Sequence, residues 1–60
     1  MIVFVNGREV SVLPGMTVRH ALMACGLLPQ VEKGKVVSDE WGNRVGLDGA
    51  LSDGMNLYVG

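Results

Sequence analysis

An Asn-Gly pair at positions 6 and 7 separates two short apolar runs, Ile2-Val3-Phe4-Val5 and Val10-Ser11-Val12-Leu13. A two-residue type I′ turn needs positive φ at both central positions, which Asn and Gly tolerate best, so a pair flanked in this way predicts a β-hairpin. The turn also sets the register. With Asn6 and Gly7 as the loop, Val5 stands opposite Arg8, Phe4 opposite Glu9, Val3 opposite Val10, Ile2 opposite Ser11 and Met1 opposite Val12. Directly opposed residues share a face of the sheet. One face therefore carries Met1, Val3, Val5, Val10 and Val12, and is the expected core. The other carries Ile2 and Phe4 beside Glu9 and Ser11.

Beyond the hairpin, Pro14-Gly15 breaks the strand and Thr17 is placed to cap a helix. Val18, Ala21, Leu22 and Cys25 then fall at i, i+3, i+4 and i+7, one apolar stripe, with Arg19 and His20 off it. Gly26 is expected in the left-handed region as the C′ residue, Leu27 supplies the apolar contact of a Schellman-type end, and Pro29 stops any continuation. A helix this short holds only by packing on the sheet. The remainder reads as strands and turns. Gln30 to Lys35 is a loop, Lys35 to Ser38 a strand, Glu40 to Asn43 a turn, and Arg44 to Leu47 a return or short edge strand. Asp48-Gly49 and Asp53-Gly54 are turns around a single 3₁₀ turn at Ala50-Leu51. Met55 to Val59 alternates cleanly, with Met55, Leu57 and Val59 on one side. The order ββαβ(β)β lays one helix across the apolar face of a mixed, four- to five-stranded sheet in an α+β fold.

Sixty residues make one domain, 1–60, with a small core and no spare structure. At 48% hydrophobic and 18% charged the chain is too apolar for intrinsic disorder. One cysteine rules out an intrachain disulfide and leaves no zinc ligand set. No signal peptide or membrane span is read, because apolar runs such as Met1–Val5 are far too short, so a cytoplasmic setting is expected. A net charge of −1 argues against a nucleic-acid partner, which calls for a basic stripe; Lys33 and Lys35 beside Gly34 read as a solvated turn. No cofactor is expected, and no nucleophile–base pair or metal set marks an enzyme.

The opening strand with its Asn6-Gly7 turn, the Pro14-Gly15-Met16-Thr17-Val18 helix entry and the Asp53-Gly54 turn before a final apolar strand resemble the ubiquitin-like β-grasp superfamily. Within it they are similar to the small sulfur carriers ThiS and MoaD. The resemblance spans nearly all 60 residues and implies a β-grasp with the last strand beside the first. It also implies an adenylating, ATP-using enzyme as partner and a thiocarboxylate formed on a C-terminal Gly-Gly. Here Gly60 would be the residue modified, but Val59 stands where that family has the preceding glycine, and Met55 stands where it has an acidic residue. Only glycine passes closely against another backbone and bends freely, so charging by the usual route is not expected. The same stretches resemble the [2Fe–2S] ferredoxin-like domains, whose cluster needs four thiolates where this chain has Cys25 alone.

The remaining chemistry-bearing residues have plain readings. His20 is a solvent-facing helical histidine, Cys25 a buried and inert thiol, and Asp39, Glu40, Asp48 and Asp53 are turn-forming carboxylates. Trp41 either folds over the sheet edge as a lid or is an exposed anchor for a partner, a role in which tryptophan is enriched. Ile2 and Phe4 lie where polar residues are usual. Either the Gln30–Lys35 loop or the Trp41 turn covers them, or they form an apolar docking patch, as the resemblance to ubiquitin-like proteins implies. Three readings follow: a non-catalytic module docking through Ile2, Phe4 and Trp41 onto a larger enzyme, a complex subunit or itself; a sulfur carrier modified at Gly60; and a ferredoxin-like domain kept as a scaffold without its cluster.

Overall fold

In the computed structural model, which describes residues 1–60, Asn6 and Gly7 take φ values of 51° and 80°. These are the left-handed values of a type I′ turn. Across it β1 (Ile2–Val5) folds back on β2 (Arg8–Ser11) with Val5 against Arg8, Phe4 against Glu9, Val3 against Val10 and Ile2 against Ser11, the register the turn predicts. Val3, Val5, Val10 and Val12 are buried, and Met1 packs against them half-buried.

Helix α1 (Val18–Cys25) lays Val18, Ala21 and Leu22 on this valine face. Its end is the expected Schellman arrangement: Gly26 has φ 79°, its N–H bonds to the Met23 carbonyl at 3.3 Å, and the Leu27 N–H reaches the Leu22 carbonyl at 2.9 Å. Its start holds two features that local propensity does not show. The Thr17 N–H donates to Nδ1 of His20 at 3.0 Å, so a histidine fills the place that Glu or Gln takes in a capping box. The orphan N–H groups of Val18 and Arg19 are taken by the carbonyls of Gly49 and Leu47, at 3.0 and 2.9 Å. His20→Ala should cost roughly 0.5–1 kcal/mol in denaturant unfolding, while His20→Gln, which keeps an acceptor, should cost less.

Two helices are present where one was expected. Part of the Gln30–Lys35 loop is instead a second helix, α2 (Leu28–Glu32), packed by Leu28 and Val31 against the core. Pro29 explains both outcomes. Its ring bars α1 from continuing, yet its fixed φ and missing N–H suit the first turn of a new helix, where that N–H would be orphaned anyway.

Strand β3 is Val37–Asp39 rather than Lys35–Ser38, and β4 is Asn56–Val59. The sheet has four strands in the order β2-β1-β4-β3, antiparallel at both outer pairs and parallel between β1 and β4. The chain is thus α+β with a mixed sheet and two helices. The proposed Arg44–Leu47 strand reduces to a bridge between Arg44 and Ser38 and one bond from the Val45 N–H to the Val37 carbonyl at 2.9 Å. Ala50 is not in a 3₁₀ turn but bridges Thr17 in extended form. The cause is the same for both: the Leu47 and Gly49 carbonyls are drawn to the start of α1, which pulls the segment off the sheet edge. Gly49 sits so close there that a Cβ would come within 3.1 Å of the Gly46 carbonyl oxygen.

Candidate partner-binding face

Because residues alternate across a strand, the register that buries Val3, Val5 and Leu57 turns Ile2, Phe4, Asn56 and Tyr58 to the opposite face. Phe4 pairs with Glu9 on one side and Asn56 on the other, and Ser38 pairs with Tyr58. Both helices, and the apolar side chains of Val45, Leu47 and Leu51, pack on the valine face. Ile2, Phe4 and Tyr58 take no part in that packing. Ile2 and Phe4 are half-buried among their strand neighbours, and Tyr58 is 46% exposed. Neither expected cover is over them. The Gln30–Lys35 stretch belongs with α2 on the other face, and Trp41, at 76% exposure, covers nothing. The lid reading of Trp41 is therefore corrected.

The position of Trp41 follows from Asp39, whose Oδ1 accepts the N–H groups of Trp41 at 3.0 Å and Asn43 at 2.8 Å. This Asx-type closure folds the turn outward. Trp41 then borders a shallow cleft of about 260 Å³ with Glu40, Ser52, Asp53, Gly54 and Met55. The cleft adjoins the Ile2 end of the face, since the Gly54 N–H bonds to the Ile2 carbonyl at 2.7 Å and the Ile2 N–H to Oδ1 of Asp53 at 2.8 Å. The main chain of Ile2 thereby meets the Asp53–Gly54 side of that cleft. Tyr58 is the residue the sequence reasoning missed. Its signal was available in the alternation with Leu57, but only a neighbouring β1 makes that side continuous with Phe4.

Other candidates fall elsewhere. Gly60 exchanges two backbone hydrogen bonds with Val36, at 3.1 and 3.2 Å, and so extends the β3–β4 ladder. Cys25 is half-buried rather than fully buried. Its Sγ–H points to the Leu22 carbonyl at 3.5 Å, and it borders a shallow groove between α1 and the β2 edge. His20 is exposed and serves the α1 cap. Asp48 pairs loosely with Arg19, at 3.7 Å. His, Cys, Asp and Glu side chains nowhere gather in threes with metal-binding geometry, and no helix is long and apolar enough to cross a membrane. What the uncovered face offers chemically is contact area: an aliphatic and two aromatic side chains bordered by polar groups, with an indole at the rim.

No protein-family model, curated protein or solved structure matches this chain.

Proposed function

We propose that the chain is a ubiquitin-like β-grasp domain, akin to the ThiS and MoaD carriers in descent, that works as a non-catalytic protein-binding module. The fold reading draws support from the parallel pairing of the first and last strands under a crossing helix. The functional reading rests on one observation: Ile2, Phe4 and Tyr58 lie on the sheet face opposite the core and none of them packs with it, Ile2 and Phe4 half-buried and Tyr58 exposed. Uncovered apolar surface bordered by polar groups marks protein–protein contact, and aromatic residues carry much of the energy where such surfaces meet. The partner is a protein, either a larger enzyme or a complex subunit, and Trp41 extends the contact at the rim. Gly60, tied on both sides to Val36, serves the sheet in this reading and is not an acyl carrier.

A photo-crosslinking phenylalanine analogue placed singly at Phe4, Tyr58 or Met23 tests the docking face in cells. Met23 is an exposed apolar residue of α1 and so reports the opposite side. Adducts are expected from positions 4 and 58 and not from 23. Adducts from 23 alone, or from none, would overturn the reading. The carrier alternative is tested separately, by incubation with ATP and an adenylating enzyme. A thiocarboxylate mass gain, abolished by Gly60→Ala, would favour it.

A further inference from the structure

Beyond Asn6 the backbone of β1 turns away, and this leaves a gap at the end of the parallel ladder. Gly60 and Val36 exchange both of their backbone bonds, so the N–H and C=O of the preceding Val59 face the β1 side. No main-chain group of β1 remains there to meet them. The side-chain amide of Asn6 takes the place instead. Its Oδ1 accepts the Val59 N–H at 2.9 Å, and its Nδ2 donates to the Val59 carbonyl at 3.3 Å. One carboxamide thus acts as a further peptide unit in the ladder, joining residues 53 positions apart.

The same residue is followed by glycine. Gly7 is exposed, with open space where a Cβ would stand, so nothing hinders its backbone nitrogen as a nucleophile. Attack of that nitrogen on Cγ of Asn6 forms a five-membered succinimide. The Gly7 N–H proton is lost to solvent, the Cγ–Nδ2 bond breaks, and the side-chain nitrogen leaves as ammonia. Water then opens the ring at either carbonyl, leaving an ordinary aspartyl or an isoaspartyl linkage in place of the asparagine. Water is the only co-reactant, and no electrons are exchanged with anything outside the chain.

We propose that Asn6 is a latch on the C-terminal end of β4 and a site of irreversible self-deamidation that cannot relatch. Ring closure swings the carboxamide away from Val59 and breaks both of its bonds, so the latched form is protected and hydrolysis proceeds from the opened one. The product cannot restore the contact. An aspartate at this position still accepts the Val59 N–H but sets a second acceptor oxygen against the Val59 carbonyl, two lone-pair groups with no proton between them. An isoaspartyl linkage adds a methylene to the main chain of a two-residue turn, which has no room for it without disturbing the Val5–Arg8 pair. The ageing of one side chain therefore loosens the strand end that carries Tyr58, Val59 and Gly60. This inference does not depend on the docking reading.

Two measurements test it. The native chain and the same chain in urea are aged at one pH and temperature, with deamidation followed by intact mass and isoaspartyl content. Holding two hydrogen bonds should slow the native chain roughly 5- to 30-fold; equal rates would overturn the protected latch. Separately, amide hydrogen exchange at Val59 is compared among the parent, Asn6→Asp and Asn6→Gly. Both variants keep a residue that tolerates the turn. Both should exchange Val59 faster, Asn6→Gly more than Asn6→Asp because the carboxylate still accepts the Val59 N–H, and the increase at Val59 should exceed any at Val3 and Val10. Unchanged protection at Val59 in the two variants would show that Asn6 does not latch the strand.

Discussion

Leu57→Ala is expected to cost this chain much of its stability. Leu57 is fully buried in β4, an inner strand flanked by β1 and β3, and with Leu22 it is among the largest wholly enclosed side chains. Truncating such a leucine removes its transfer free energy and leaves a cavity that neighbours refill only in part, typically about 2–5 kcal/mol. A chain of 60 residues has roughly 3–9 kcal/mol in total, so the loss takes much or all of its stability. The contrast is Tyr58→Ala one residue on. Tyr58 faces the uncovered side and should cost less than about 1 kcal/mol, the range of surface changes. Far-UV circular dichroism in urea is the measurement of choice, because Trp41 is already 76% exposed and reports little of unfolding. Equal costs at positions 57 and 58 would mean that the two faces of β4 have been assigned wrongly.

That contrast bears on how much of the molecule is legible in its residues. What local chemistry dictates was readable. Asn6-Gly7 can take only a few turn geometries, and the turn carries the hairpin register with it, hence the sides on which Val3 and Phe4 fall. The end of α1 at Gly26 and Leu27 is likewise a local event. The features that were not readable are those satisfied from far away. The Leu47 and Gly49 carbonyls find their partners at the start of α1, so the segment from Arg44 to Leu51 keeps its turn, closed by the Gly49 N–H on the Gly46 carbonyl at 3.0 Å, but forms no strand. The Asp53 carboxylate reads as a turn former, yet it reaches the Ile2 N–H across 51 positions. Pro29 is ambiguous by nature, since the property that ends one helix begins another. Within the candidate site, Ile2 and Phe4 were placed by register alone. Trp41 stays undecided in the sequence because its exposure depends on whether the turn capped by Asp39 folds outward or over the sheet, and nothing in its immediate neighbours decides this.

Asn6→Val is the other substitution expected to have a large effect, and comparison with Asn6→Gly divides that effect into two parts. At φ 51° Asn6 occupies the left-handed region, which costs an L-residue other than Gly, Asn or Asp about 1–2 kcal/mol and a β-branched one at the upper end. Valine also removes the carboxamide that meets both polar groups of Val59. Two lost hydrogen bonds, both at an exposed site, are worth about 1–2 kcal/mol together. The sum, roughly 2–4 kcal/mol, approaches the whole stability of so small a chain. Glycine should remove only the second part, since it accepts positive φ freely. Urea midpoints should therefore rank parent, then Asn6→Gly, then Asn6→Val, with clear gaps between successive members. If glycine matched the parent, the Val59 contact would contribute nothing. If valine matched glycine, the hairpin would not rest on the left-handed turn, and the register that separates the core from the uncovered face would have to come from the pairing of β1 with β4 instead.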